Sequence, residues 1–128
     1  MASKDRGFST KAVHAGDRRD GSTGAVVEPI YETSVFAFSS TKQLVDVMSE
    51  KAEGYVYTRY GNPTTTSVEA KMAELEQTED AAVFSSGMAA IATTLFTLVS
   101  SGDHVVSTRD LYGGTLELFT KVLPKLGK

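Results

Sequence analysis

Apolar residues recur at helical spacing in three stretches of the second half of the chain. Residues three or four positions apart share one face of an α-helix, so each stripe predicts a helix with one buried side. Pro124 predicts an interruption of the third helix, because proline lacks a backbone N–H donor. The three stripes are Val68, Met72 and Leu75; Met88, Ile91, Leu95, Leu98 and Val99; and Leu116, Phe119, Val122, Leu123 and Leu126.

Polar and small residues mark the ends of these predicted helices. Asn62 followed by Pro63 predicts a capped start for the first helix. Thr66 and Glu69 have the spacing of a capping box and offer a second possible start. Gly102 is the predicted end of the second helix.

Two short apolar runs alternate with the predicted helices. Residues 81–84 predict a buried strand, and residues 103–107 predict the next one. Strands that alternate with helices indicate an α/β fold with a mostly parallel sheet and flanking helices. Such a sheet buries both faces and usually contains more strands, so we expect it to be incomplete within 128 residues.

The beginning of the chain has a different pattern. Glycine and proline interrupt residues 1–60 repeatedly, and only residues 41–49 show helical spacing, with Leu44, Val45 and Met48 on one face. This pattern is typical of an extended arm that becomes ordered by packing on another structure. We therefore predict an arm with one short helix over residues 1–60, and the beginning of an α/β domain over residues 61–128.

Composition excludes several classes of function. Thirteen basic and sixteen acidic residues give a net charge of −3 with no basic block, which argues against a nucleic-acid partner. The longest weakly polar stretch is broken by serine, threonine and glycine, which argues against a membrane span. The chain has no cysteine, and His14 and His104 lack partners at metal-ligand spacing, so we expect no metal site. The cytoplasm is the expected compartment.

Two segments carry groups suited to holding a phosphate. Arg59 has a planar fork of donors, and Tyr57 supplies a hydroxyl on the same side if the segment is extended. At the second segment, the amides of Gly87 and Met88 open a predicted helix, whose dipole favours an anion. Gly87 would also let a ligand approach the backbone closely.

Five motifs of the chain resemble, in the same order, those of the pyridoxal-phosphate enzymes of cysteine and methionine metabolism. They occupy residues 13–16, 29–34, 57–64, 85–91 and 110–115. That family includes cystathionine synthases and lyases, methionine γ-lyase and O-acetylhomoserine sulfhydrylase. The resemblance implies pyridoxal 5'-phosphate as cofactor and the first part of a fold-type I transferase large domain. It also implies trans-sulfuration chemistry, as a C–S lyase or by γ-replacement on cystathionine, homoserine esters or related substrates.

The resemblance also implies roles for individual residues. Gly87 and Met88 correspond to the phosphate-binding amides, and Tyr112 to the residue that stacks on the cofactor ring and is a candidate for proton transfer. Tyr57 and Arg59 correspond to residues that reach the phosphate of a neighbouring subunit. This implies a dimer or tetramer with the arm crossing the interface. Methionine γ-lyases typically carry a cysteine where this chain has Gly114, which argues against that activity.

The groups that would complete such a site are not at matching positions. The family's Schiff-base lysine and its acid partner for the pyridine nitrogen lie far downstream. Lys42 precedes the phosphate motifs, and we interpret it as a solvated residue on a helix capped by Thr41. Because the family's members are roughly three times as long, we expect a fragment that is inactive alone.

Two other interpretations stay open. The chain is either a non-catalytic partner that docks on an intact homologue through its arm, or a small module that binds phosphate or pyridoxal phosphate without chemistry. The first follows from the arm, and the second from two phosphate anchors without a lysine.

Overall fold

The computed structural model describes residues 6–18 and 20–128, which form helices joined by turns and irregular segments. They fall into two compact units, which separate between Ala82 and Val83. No helix in the described residues is long and apolar enough to cross a membrane. The helices are α1 Phe8–His14, α2 Thr41–Met48, α3 Pro63–Glu76, α4 Gly87–Leu98 and α5 Gly113–Glu117, followed by a π-helix Leu118–Val122 and a 3₁₀-helix Leu123–Leu126.

Helix α1 is absent from the sequence-based prediction, and contacts with α3 explain why it forms. Gly7 precedes α1 and provides no side-chain cap. Lys11 Nζ lies 2.8 Å from Glu74 Oε1 of α3, and Lys71 Nζ of α3 donates to Val13 O at 3.0 Å. The helix is thus stabilised by residues that are distant in sequence, which a local pattern does not reveal.

Gly16, just after α1, lies unusually close to the backbone of α3. Its φ is +77°, and a Cβ added there would lie 2.1 Å from Ser67 O. Ser67 Oγ in turn donates to Gly16 O at 3.1 Å. Only glycine combines this left-handed conformation with this close approach.

Helix α3 begins at Pro63, and Asn62 caps it by accepting a hydrogen bond from Thr64 N. The first of the two predicted starts is therefore confirmed. The predicted apolar stripe is only partly buried: Val68 and Met72 are each more than two-fifths exposed, and Ala73 is the buried residue of α3. The α3 side chains that contact α1 and Gly16 include Ser67, Lys71 and Glu74, which are small or charged.

The predicted helix at residues 41–49 is confirmed as α2, but its cap was assigned to the wrong residue. Ser40 Oγ accepts from Gln43 N at 3.2 Å, and Thr41 is the first helical residue. Lys42 is 83% exposed and pairs with Asp46, one helical turn further on. Its predicted solvation is therefore confirmed.

Helix α4 begins after Ser86, whose Oγ accepts from Ala89 N at 3.1 Å. The helix ends at Leu98, because Val99 is already extended. The prediction that Gly102 ends it is therefore wrong. Gly102 instead lies in a turn with φ +92° and donates through its N–H to Gly127 O at 2.7 Å.

The third predicted helix is interrupted near Pro124, as expected, by a change to 3₁₀ geometry. Its buried side agrees with the prediction only in part. Leu123 is buried as predicted, but Leu116, Val122 and Leu126 are exposed, and Leu118, which is outside the predicted stripe, is buried. Leu123 N donates to Leu118 O across the wider π turn. That turn places residues five apart on one side, so the 3.6-residue stripe is not followed.

Neither predicted strand is assigned in the described residues. Residues 81–84 and 103–107 have no helix and no strand pairing, and the one bridge described is an isolated antiparallel pair, Val35 with Tyr57. The parallel sheet stays a prediction, because no strand is assigned in residues 6–18 and 20–128 to pair with these runs. The predicted arm boundary after residue 60 also stays a prediction.

Candidate functional site

The segment that carries Tyr57 and Arg59 forms a turn. Tyr57 O accepts from Tyr60 N at 2.9 Å and from Gly61 N at 3.2 Å. Just before the turn, Tyr57 makes the bridge to Val35, and Thr58 N donates to Ser34 O at 2.9 Å. The turn is therefore joined to the chain about twenty-five residues earlier, an ordering that requires tertiary contacts.

Asn62 fixes this turn to the start of α3. It is 2% exposed, and its Nδ2 donates to Tyr31 O at 2.9 Å and to Thr58 Oγ1 at 3.2 Å. Its Oδ1 accepts from Thr64 N at 2.8 Å. A buried amide with donors and acceptor all satisfied holds its surroundings in one arrangement. Sequence analysis predicted only the helix cap and missed the two contacts that Asn62 makes with earlier residues.

Arg59 lies against two aromatic rings. Its Cζ is 5.1 Å from the centroid of the Tyr57 ring and 5.4 Å from that of the Tyr60 ring, and the two centroids are 6.4 Å apart. These separations suit cation–π attraction. We call these three side chains the aromatic triangle. Tyr57 and Arg59 are thus together, as predicted, but a turn brings them together instead of an extended strand.

The guanidinium of Arg59 has donors to offer a ligand. In the described part of the chain no carboxylate lies within ion-pair distance of Arg59. Its five N–H groups form a planar fork that matches two oxygens of a phosphate. Sequence analysis missed Tyr60, although its place immediately after Arg59 in a tyrosine-rich run was a usable signal.

The start of α4 forms the second candidate anchor. Ser86 caps the amide of Ala89, and the amides of Gly87 and Met88 are at the first helical positions, where no carbonyl lies one turn back within the helix. A Cβ added at Gly87 would meet nothing within 4 Å. The space over Gly87 therefore lets an oxygen atom approach amides that the helix dipole makes favourable for an anion.

Tyr112 lies close to this helix start within the second unit. It is 75% exposed and immediately precedes α5. A Cβ added at Gly114 would lie 2.9 Å from Tyr112 Cε1 and 3.3 Å from Met88 Sδ. Thr115, which is buried, donates through Oγ1 to Met88 Sδ at 3.5 Å. Gly114 and Thr115 thus connect the Tyr112 ring to the first turn of α4, a connection that sequence analysis missed.

These groups fit the chemistry of pyridoxal phosphate. The guanidinium, the phenol hydroxyls and the open helix start are donors for a dianionic phosphate, and the exposed Tyr112 ring is a flat face for an aromatic ring. Among the described residues, no three His, Asp or Glu side chains converge to hold a metal ion. Each of the two sets of donors, at Arg59 and at the start of α4, suits a phosphate group.

Comparison with known proteins gives consistent results. L-methionine gamma-lyase of Fusobacterium nucleatum subsp. polymorphum is 45% identical over 127 residues, which are 99% of this chain and 32% of that enzyme. Cystathionine gamma-lyase of Bacillus subtilis is 47% identical over 118 residues, 92% of this chain and 29% of that enzyme. The crystal structure of metB from Corynebacterium glutamicum matches with a TM-score of 0.87 at 37% identity, covering 99% of this chain and 31% of that one.

The chain spans about a third of the length of these curated relatives. The sequence profile of the Cys/Met metabolism PLP-dependent enzymes matches residues 9–128, nearly the whole chain. Together with the order of its motifs, this match shows that the chain belongs to the family of PLP-dependent enzymes of cysteine and methionine metabolism.

Proposed function

We propose that this chain supplies two phosphate-holding elements of a PLP-dependent trans-sulfuration enzyme. The observation that carries the proposal is that this chain contains both Arg59, which has no acid partner in the described residues, and an open glycine at a capped helix start. Each element alone is common. Together, and in a chain of this family, they favour a phosphate-bearing cofactor.

The two elements have different parts in this proposal. The amides of Gly87 and Met88 bind the phosphate from the helix start, and Tyr112 stacks on the cofactor ring. Arg59 and Tyr57 reach the phosphate of a neighbouring subunit, so the complete enzyme is a dimer or tetramer in which residues 1–60 form an intersubunit arm. Residues 61–128 begin a fold-type I PLP-binding domain.

In the complete enzyme, pyridoxal phosphate supplies the electron sink that makes the α-proton of an amino acid acidic. The residues of this chain hold the phosphate, orient the ring and place the Tyr112 hydroxyl where it can hold or move a proton. The activity is C–S bond cleavage or replacement at the γ-carbon of cystathionine, a homoserine ester or a related amino acid. Because Gly114 replaces the cysteine that is typical of methionine γ-lyases, methionine γ-lysis is less favoured than the other activities. The cytoplasm is the proposed compartment.

Binding of pyridoxine 5'-phosphate tests the phosphate anchors. This compound has the ring and phosphate of the cofactor but no aldehyde, so no lysine adduct forms. We expect Arg59→Ala to weaken binding about tenfold or more, because a hydrogen-bonded charge pair is lost. Lys51→Ala is the matched control, since it removes one charge from an exposed residue of the same unit. Equal effects of the two substitutions would show that only net charge matters and would contradict the proposal.

We further propose that catalysis requires a lysine outside these residues. In the structure Lys42 is exposed and paired with Asp46, whereas an amine that captures a carbonyl is usually desolvated. The chain alone is then a non-catalytic phosphate-binding or oligomer-partner element. Incubation with pyridoxal phosphate, borohydride reduction and peptide mass mapping should give scattered or no labelling. A single stoichiometric adduct, on Lys42 or another lysine, would contradict this proposal.

A further inference from the structure

We infer that Tyr60 is a positioning residue that holds the Arg59 guanidinium ready for phosphate. This inference rests on the proposed function of Arg59 and concerns a side chain to which the family's motif, as described above, assigns no role. It makes Tyr60 part of the phosphate site without making it a ligand of the phosphate.

The position of Tyr60 in the turn brings its ring to Arg59. Tyr57 and Tyr60 lie on either side of Arg59 in the sequence. The hydrogen bond from Tyr60 N to Tyr57 O closes the turn and brings these two residues next to each other in space. Their rings meet edge to face, at an interplanar angle of 63°. The guanidinium then contacts both rings at once, completing the aromatic triangle.

Tyr60 contributes little to packing elsewhere in the first unit. Its side chain is 79% exposed, so it contributes little to a core, whereas Tyr57 is 38% exposed. Its ring contacts within the described residues are those with Arg59 and Tyr57. A large ring that is nearly free of the core yet lies within cation–π distance of Arg59 is suited to orienting that arginine.

The geometry leaves the donors of Arg59 available. Because the centroids are only 6.4 Å apart, the two rings do not lie on opposite sides of Arg59 Cζ and do not enclose the guanidinium between them. Ring faces also attract the cation without taking up its N–H groups as a carboxylate would. An arginine side chain loses much rotamer freedom when it binds. Holding it in place beforehand lowers that cost and raises affinity.

A series of three variants tests this role. Tyr60→Phe keeps the ring and removes the hydroxyl, Tyr60→Leu removes the ring, and Arg59→Ala removes the proposed ligand. Binding of pyridoxine 5'-phosphate is measured for each. A second readout is the NMR shift of the Arg59 Hε and Hδ protons, which ring currents move upfield only if the guanidinium lies over the rings. Amide exchange of Thr58, whose N–H bonds Ser34 O, reports whether the turn is intact.

We expect Tyr60→Phe to match the unsubstituted chain in both readouts. Tyr60→Leu should reduce the upfield shift and weaken binding about two- to fivefold, with Thr58 still protected. If Tyr60→Leu leaves binding unchanged while Arg59→Ala still weakens it, the inference about Tyr60 is overturned and the proposed function of Arg59 stands. Equal weakening in Tyr60→Phe and Tyr60→Leu would also overturn it, since the hydroxyl would then be a ligand. Unchanged binding in Arg59→Ala would overturn the proposed function of Arg59 as well.

Discussion

The two candidate phosphate anchors are held in place by different kinds of contact. The turn at Arg59 depends on distant residues, because Asn62 bonds Tyr31 O and Thr58 N bonds Ser34 O. The start of α4 is held by its own cap, Ser86, which bonds an amide one turn further on. The first anchor therefore depends on tertiary structure, whereas the second is determined locally.

This difference decides how each anchor can be altered. The first anchor presents side chains, so a single substitution removes its donors. The second presents backbone amides, which are removed only by proline and are otherwise altered through the cap or through crowding at Gly87. Binding at the first anchor should therefore be weakened by truncating a side chain, whereas binding at the second should depend on the cap and on the space over Gly87.

The largest expected effect lies at the contact between α1 and α3. Gly16→Ala places a Cβ against Ser67 O and forces a side chain into left-handed backbone. We expect it to destabilise this contact by about 3–5 kcal/mol, from conformational strain and overpacking. Gly24→Ala is the control, since Gly24 has φ +71° but nothing within 4 Å. It should cost only about 1–2 kcal/mol.

Hydrogen exchange of the α3 amides measures the loss of stability in both glycine variants. The second unit is an internal reference, and the amides of α4 should be unaffected. If both variants cost the same, the close approach of Gly16 to Ser67 O contributes nothing, and the dependence of the first unit on distant contacts is weaker than the structure indicates.

Smaller losses of stability are expected when the two helix caps, Asn62 and Ser86, are substituted. Asn62→Ala leaves a buried site with three lost hydrogen bonds, and we expect a cost of about 2–3 kcal/mol. Ser86→Ala removes one exposed cap, with an expected cost of about 1 kcal/mol. Asn62→Asp keeps the acceptor for Thr64 N but loses both donations, so it should show whether the cap or the distant contacts dominate.

Urea unfolding and exchange of the first-turn amides of α3 and α4 give these values. A cost for Ser86→Ala as large as that for Asn62→Ala would contradict the comparison. If Asn62→Asp behaves like the unsubstituted chain, the contacts with Tyr31 and Thr58 are unimportant for the turn.

The smallest effect on stability is expected at Gly114. A Cβ there overlaps the Tyr112 ring, but this ring is largely exposed and is free to move away. Gly114→Ala should therefore change stability by less than about 1 kcal/mol while shifting the ring protons of Tyr112 in NMR spectra. Gly113→Ala is the control, because a Cβ there meets nothing within 4 Å. Equal ring shifts in the two variants would show that Gly114 does not set the position of Tyr112.

The sequence predicts those parts of the fold that depend on neighbouring residues. The start of α3 follows from Asn62-Pro63, in which cap and first turn are adjacent, and the start of α4 was predicted at Gly87 without its cap, Ser86. Helix α1 was missed because Lys11 and Lys71 join it to partners more than fifty residues away. The register after α5 was wrong because a π turn breaks the 3.6-residue period.

The same distinction applies to the candidate site. The donors at Arg59, Gly87 and Met88 follow from residue type and spacing, and their roles stay predictions. The contact of Asn62 with Tyr31, which lies 31 positions earlier, and the approach of Gly114 to Met88 are products of tertiary packing. Local patterns carry no information about such contacts.

The central claim is that each of the two anchors of this chain binds phosphate, and an NMR titration with pyridoxine 5'-phosphate tests it most directly. We predict saturable shifts of the Gly87 and Met88 amides and of the Arg59 side chain. The start of α2 is an internal control, since Ser40 caps it in the same way but it lacks the glycine. Shifts that are equal at α2 and α4, or that spare both Arg59 and Gly87, would contradict the claim.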